Sequence, residues 1–373
     1  MKYSDKKIKY DLKSFPFSVA EKKISKSLKI SNEFSKLTSS DKSRLLFNTS
    51  GLIAKYSKEI ASFNTEDSLK PYKVSLEETE QVYQSAIYYA GWADKLNFVV
   101  NFRGGDDLRQ FLGEDGKPLG IVVVEISDLF PVFSFAKNVF PALACGNTVA
   151  IIESKKNIST QLFKKLLEES GLPVNAILFP EQKKLSPAIK SFKNKTLINQ
   201  LSFLDDYPVN DAVYQCVKKI ISPEYNTKQS INVFIQEGHK KLFVKKLETA
   251  LSKLIYGNPF GENTDISSGS FKKEREEFNR AIRTAKKENA GLVEPVKNQS
   301  AIFSECNFAM ESGFVNINLP LVKVFSYRTP VELIEKVNIN KQNSFNRVFS
   351  FNYPAAIRIA EKFYTSTVRI GII

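Results

Sequence analysis

Gly120-Ile121-Val122-Val123-Val124-Glu125-Ile126, then Ser127-Asp128-Leu129-Phe130-Pro131, then Pro141-Ala142-Leu143-Ala144-Cys145-Gly146-Asn147-Thr148-Val149-Ala150-Ile151-Ile152-Glu153 is the stretch that decides the fold. Its first and last runs are continuous, apolar and β-branched, as strands covered on both faces are. A helix fits between them, and Gly146-Asn147 supplies the tight turn that ends it. Strand, helix and strand make one βαβ unit, which forces the two strands to run parallel.

The same alternation continues outward. Ser159–Ser170 reads as an amphipathic helix stopped by Gly171-Leu172-Pro173, and Ala176-Ile177-Leu178-Phe179-Pro180 as a buried strand. The spacing from 120 to 180 therefore predicts a doubly wound parallel sheet. Upstream, Ser39-Ser40-Asp41 can cap a helix running to Ile60, and Ser75-Leu76-Glu77-Glu78 opens another that runs to Lys95. Asn97–Arg103 alternates as a strand, followed by a Gly104-Gly105-Asp106-Asp107 turn and a short strand near Arg109–Leu112. Residues 181–200 break the order, with a strand expected at Leu197–Leu204. Beyond them, helices are predicted at Val209–Ile221, Lys240–Ile255, Phe271–Lys287, Pro330–Val337 and Pro354–Phe363. Strands are predicted at Ile231–Gln236, Ala301–Phe303, Leu321–Tyr327, Val348–Phe351 and Thr367–Ile373.

A chain of 373 residues has room for two or three domains. Its three Cys, at 145, 216 and 306, are too few and too scattered for a disulfide framework or a metal cluster, so no metal is expected. No signal-peptide pattern or membrane span is visible, and the expected location is the cytoplasm. The net charge of +14 raises nucleic acid as a partner, but 44 of the 54 basic residues are Lys, scattered singly or in pairs. Base reading and bidentate phosphate contact favour Arg, so a Lys-rich solvated surface accounts for the charge. Lone His239, at a helix start, reads as a surface residue.

Several segments, in order, resemble the aldehyde dehydrogenase superfamily. Pro141–Val149 is similar to its PALAxGNTVV signature and Tyr88–Lys95 to its YYAGWADK helix. Glu169–Pro173 resembles its EAGLP turn, Val233–Glu237 its xFVQE strand, Gly257–Phe260 its GNPF, and Pro354–Thr367 the helix before its GTVxVN strand. The resemblance implies an α/β fold with three parts. These are a Rossmann-type cofactor domain over 1–98 and 119–205, an oligomerisation hairpin over 99–118, and a second α/β domain over 206–373.

The resemblance also says where chemistry belongs: a Cys thiolate to attack an aldehyde, an Asn amide in the oxyanion hole, a Glu base, and NAD or NADP to take the hydride. The nucleophile position falls on Thr227 or, with one gap, on Ser230; neither is a thiol. The oxyanion Asn is replaced by Leu129, which has no donor, and the base segment reads Asn194-Lys195-Thr196-Leu197-Ile198. The ribose-binding Lys after the second strand is replaced by Glu153, the ExFGP Glu by Asn316, and the Gly-rich pyrophosphate loop has no counterpart, Ser191-Phe192-Lys193 being no substitute. Packing motifs are kept while functional positions depart. The sequence therefore predicts no intact catalytic or cofactor residue, no bound cofactor, and an inactive structural or regulatory subunit, as a homodimer or in a hetero-oligomer with an active relative. Two alternatives stand beside it. One is a residual NAD(P)-dependent oxidoreductase using Ser230, Thr227 or a displaced Cys216, and the other is a binder of anionic partners.

Overall fold

The computed structural model describes residues from Phe34 to Gly371, apart from 35, 100–107, 109, 114–115, 129, 154, 174–175, 180–190, 194–196, 222–226, 268–271, 288, 297–299, 305–320, 340–343 and 365–366. Among the described residues the first helices are α1 (Ser39–Lys55), α2 (Ser57–Ser68) and α3 (Tyr72–Val99). Thr38, one residue before the expected Ser39-Ser40-Asp41 group, caps α1 by accepting from the Asp41 amide at 3.1 Å. The expected single helix to Ile60 breaks at Tyr56, and α3 runs into the segment expected as a strand at Asn97–Arg103. Its residues Val82, Ala86, Tyr89, Ala90 and Ala93 are spaced by three and four and all buried, so one stripe carries the helix forward across the first core.

A four-stranded sheet follows, with β1 (Ile121–Glu125), β2 (Thr148–Ile152), β3 (Ile177–Leu178) and β4 (Ser191–Lys193) in the order 3-2-1-4, all parallel. Helices α4 (Pro131–Ala144) and α5 (Ile158–Glu169) make the crossovers. The 191–193 segment, expected to stand where a glycine loop is missing, is instead the fourth strand, paired with Val123–Glu125. On one face Val122, Val124, Val149, Ile151 and Ile177 join α1 to α5 in a single core that also takes in Leu108 and Phe111. Those two residues belong to the expected 99–118 hairpin; of its strands, only an isolated Leu112–Pro118 bridge falls among the described residues.

The turn after α4 shows why the signature is Gly-Asn. The Gly146 amide donates to Leu143 O and the Asn147 amide to Ala142 O, each at 2.9 Å, and Gly146 lies at φ +85°. That is a helix stop in the left-handed region, which glycine enters without a Cβ penalty. The fully buried Asn147 side chain accepts from Gly120 N at 2.9 Å and donates to Phe111 O at 2.9 Å and Ala142 O at 3.2 Å, tying the entry of β1 to the exit of α4.

The second sheet has seven strands: β5 (Leu197–Phe203), β6 (Thr227–Gln236), β9 (Gly291–Val293), β10 (Ala301–Ser304), β11 (Leu321–Tyr327), β12 (Ser344–Phe349) and β13 (Thr367–Gly371). Their order is 13-12-5-6-11-10-9, parallel except for β9. Strand β5, placed by the sequence in the first unit, sits in this sheet between β12 and β6, so sheet membership changes between Lys193 and Leu197 rather than at 205. Helices α6 (Val209–Ile221) and α7 (Glu237–Ser252) cover one face, and α8 (Lys272–Lys287), α9 (Pro330–Asn338) and α10 (Tyr353–Ala360) the other. Between α7 and α8, β7 (Tyr256–Gly257) and β8 (Ile266–Ser267) pair alone. This segment holds the first unit: Tyr72 N donates to Pro259 O at 2.9 Å, Lys73 meets Asp265 at 2.5 Å, and Tyr72 stacks on Phe260.

Candidate functional site

The described sequence-predicted positions fall on two rims, Thr227 and Ser230 on the seven-stranded sheet and Glu153 on the four-stranded one. The first is the amino end of the seven-stranded sheet. Strands β5, β6 and β11 lie side by side, with Leu197 in register with Thr227 and Ser230 in register with Leu321. Thr227 opens β6, and Asn194 and Asn316 precede β5 and β11 by three and five residues; both, like Leu129, lie outside the described residues. The topology thus places Thr227 at the start of β6, beside the start of β5, and Ser230 beside the start of β11.

Deeper in the same sheet lies a polar row that the sequence reading missed. Asn346, Gln200, Asn232 and Lys323 are aligned by register across β12, β5, β6 and β11, and all four are buried. Ser202 donates to Asn346 Oδ1 at 3.1 Å and Asn346 Nδ2 to Gln200 Oε1 at 3.3 Å, while Gln200 Nε2 has no partner among the described residues. Each residue alone looks like an ordinary polar interruption of a strand. Only the register shows them as one row.

No described cysteine is built for thiolate chemistry. Cys216, on α6, is fully buried, and burial alone drives its thiol far above the ordinary range. Cys145 donates to Leu108 O at 3.6 Å; burial pushes it up to about 12 and outweighs the opposing pull of the Lys42 ammonium. A thiol so raised is neutral at physiological pH and a poor nucleophile. Cys306 lies outside the described residues. His239 is half-buried in the first turn of α7. Among the described residues no His, Cys, Asp and Glu group could hold a metal, and no helix is long and apolar enough to cross a membrane.

The second rim is the carboxyl end of the four-stranded sheet, where doubly wound folds hold nucleotides. At the exit of β1, Ser134 Oγ accepts from Ser127 N at 3.3 Å, and Ser127 Oγ from Phe130 N at 3.3 Å. The amino end of α4, which in many such folds faces a phosphate, is closed by the protein's own carboxylate. Glu78 accepts from Phe133 N at 3.0 Å and Asn64 Nδ2 at 2.9 Å, and pairs with Lys70, which lies 4.4 Å over the Phe130 ring. Both ions are buried; burial pulls the Lys70 ammonium below its ordinary value, against the opposing attraction of Glu78.

Glu153 ends β2. Its Oε1 accepts from Thr160 Oγ1 and from Asn157 Nδ2, the latter at 3.0 Å. Burial raises the carboxyl's pKa, its hydrogen bonds to Thr160 and Asn157 pull the other way, and Asp67 adds to the rise. Asp67 comes from the last turn of α2 and caps α5, accepting from Ile158 N at 3.0 Å and from Ser159 N at 2.8 Å. Asn157, which the chain places at the cap position itself, is left with a buried Oδ1 that has no partner among the described residues.

A sequence profile described as "Aldehyde dehydrogenase family" matches residues 17–229 and 198–372. Mitochondrial aldehyde dehydrogenase family 2 member B4 of Arabidopsis thaliana is 24% identical over 380 residues, covering 90% of this chain and 70% of that protein. Mitochondrial aldehyde dehydrogenase of Sus scrofa is 24% identical over 387 residues, 90% of this chain and 72% of its own length. Among solved structures, an NAD-dependent benzaldehyde dehydrogenase from Corynebacterium glutamicum matches with a TM-score of 0.81 at 17% identity, over 96% of this chain and 86% of that one. Betaine aldehyde dehydrogenase from Staphylococcus aureus in complex with NAD+ matches at 0.77 and 19%, over 94% and 79%. The expectation that no cofactor belongs to this chain is corrected here: 94% of the chain shares its fold with a relative solved in complex with NAD+. The chain belongs to the aldehyde dehydrogenase family.

Proposed function

We propose that this chain is an aldehyde dehydrogenase-family protein that keeps the nucleotide-bearing scaffold and no longer oxidises aldehydes, serving as a non-catalytic subunit of a homo- or hetero-oligomer. The observation that carries the reading is the chemistry at the amino end of β5, β6 and β11. The strand starts converge as a catalytic rim requires, yet the nucleophile position offers only Thr227 or Ser230, and the described thiols are buried and protonated. An unactivated hydroxyl replaces a thiolate at a cost of orders of magnitude in rate.

The cofactor of the NAD+-bound and NAD-dependent relatives finds a partial fit. Glu153 follows β2 at its carboxyl end, and the reading is supported by the acidic residue that meets an adenosine ribose there in Rossmann units. The amino end of α4 is taken by Glu78, so the phosphates gain nothing there. When bound, the nicotinamide ring would accept a hydride; what this chain's residues supply is a seat for the adenosine end. Cysteines free of disulfides among the described residues suit a reducing compartment such as the cytoplasm.

The test is turnover of NAD and NADP with a panel of aliphatic and aromatic aldehydes, alongside light scattering for assembly. The reading expects no NADH or NADPH formation above the protein-free rate, and a species larger than one chain, alone or with a relative. NAD(P)-dependent turnover that survives Cys216→Ala and is lost in Ser230→Ala would establish the residual-enzyme reading instead.

A further inference from the structure

We infer that the corner where α6 ends over β5, β12 and β13 is an anion site on the second sheet, built for the phosphate group of a small molecule. It is independent of whether the first unit holds a nucleotide. Three observations carry it. First, three cations gather there. Lys219 Nζ lies 5.3 Å from the centre of the Phe345 ring, and the Arg369 guanidinium carbon 5.2 Å from the same centre. Arg347, two residues beyond Phe345 on β12, stands beside Arg369 in the register of β12 and β13. Neighbouring strands run about 4.8 Å apart, and like charges placed side by side across them destabilise a sheet. An anion held between them relieves that repulsion.

Second, the charges are graded in depth. Lys219 is 5% exposed, Arg347 is half-buried and Arg369 is exposed, so they run from beneath α6 out to the strand that ends the sheet order, a route open to a solute. The plain role of a lysine in the last turn of α6 is to meet the helix dipole. Exposed Lys218 serves that role as well, and it does not account for Arg347 beside Arg369. Third, a buried amide stands in the same corner. Asn199 pairs with Phe345 across β5 and β12, two residues before Leu201 on the face that α6 covers. It is 2% exposed, and its Oδ1 has no partner among the described residues. The two ends of an amide are told apart only by their partners, so this side chain can turn Nδ2 inward and donate to an anion's oxygen. Two guanidinium forks and an ammonium suit a multiply charged oxyanion, a phosphate rather than a monocarboxylate.

The experiment is isothermal titration of the full chain with inorganic phosphate, pyrophosphate and a single-stranded oligonucleotide at constant ionic strength. Arg369→Gln, Asn199→Asp and Lys253→Gln are titrated in parallel, and thermal unfolding of each shows that it is folded. Lys253, exposed at the end of α7, controls for net charge alone. The wild type is expected to bind pyrophosphate saturably at a single site, and Lys253→Gln to match it within about twofold. Arg369→Gln is expected to weaken pyrophosphate at least about tenfold, the loss of one charge-assisted contact. Asn199→Asp, which sets a carboxylate among the three cations, is expected to abolish binding. No saturable binding of phosphate or pyrophosphate overturns the inference. So do equal losses in Arg369→Gln and Lys253→Gln, an affinity unmoved by Asn199→Asp, or binding of the oligonucleotide alone.

Discussion

Glu78→Ala tests how the first unit is held. Glu78 is completely buried and satisfies three donors: Lys70 Nζ, Asn64 Nδ2 at 2.9 Å and Phe133 N at 3.0 Å. Truncation leaves Lys70, itself 3% exposed, as an ammonium without its counter-ion and uncaps α4. Breaking a buried pair in this way costs about 3–5 kcal/mol, because the surviving charge keeps its desolvation penalty. With a urea slope of about 2 kcal/mol per molar, the midpoint should fall by roughly 1.5–2.5 M. The chain has a single tryptophan, Trp92, which lies in α3 against the first core, so its fluorescence reports this unit separately from the seven-stranded sheet. Lys70→Met should be similarly damaging, whereas Lys70→Met combined with Glu78→Gln removes both charges, keeps an acceptor for Phe133 N, and should return to within about 1–2 kcal/mol of the wild type. Additive losses in the double variant, or a midpoint unmoved in Glu78→Ala, would refute the assignment of a coupled buried pair.

Three further outcomes are expected. Gly146→Ala should cost about 1–2 kcal/mol by the same fluorescence, because φ +85° disfavours any Cβ and the new methyl would lie 3.0 Å from Lys42 Nζ and 3.3 Å from Pro118 Cγ. Asn147→Ala should cost about 1–3 kcal/mol, since the side-chain bonds to Gly120 N, Phe111 O and Ala142 O are lost inside the core. Cys145 and Cys216 should resist Ellman's reagent until the chain unfolds. Cys145 carries a pH signature as well. Its pKa is raised from 9.0 to about 12 on folding, so its contribution is complete below pH 9 and is lost as pH rises from 9 towards 12; Cys145→Ala should flatten that part of the stability profile.

The βαβ unit was legible because its strands are continuous apolar runs and its turn needs glycine at Gly146. The helices expected at Val209–Ile221 and Pro330–Val337 were equally plain, because their apolar residues recur at helical spacing. The reading failed where long-range pairing decides. Ser191–Lys193 is too short and polar to announce itself, and becomes a strand only because β1 offers it an edge. Leu197–Phe203 reads as a strand, but nothing local says which sheet receives it. The candidate site divides in the same way. Thr227, Ser230, Asn194, Asn316, Leu129 and Glu153 were found by position against a family pattern. The residues around Glu153 come from a loop, a helix and a distant helix end: Asn157 and Thr160 bond it, and Asp67 caps a helix 91 residues later in the chain. The pair Lys70 and Glu78 was hidden for a simpler reason: surface-type residues in an amphipathic helix give no sign of burial until neighbouring helices close over them.

The central claim, a family scaffold without aldehyde oxidation, is tested most directly in a single turnover. Concentrated protein would be mixed with NAD and a reactive aldehyde, and NADH absorbance and intact mass followed together. The account predicts no NADH and an unmodified chain. A stoichiometric burst of NADH with an acyl adduct mapped to Ser230, Thr227 or any cysteine would contradict it.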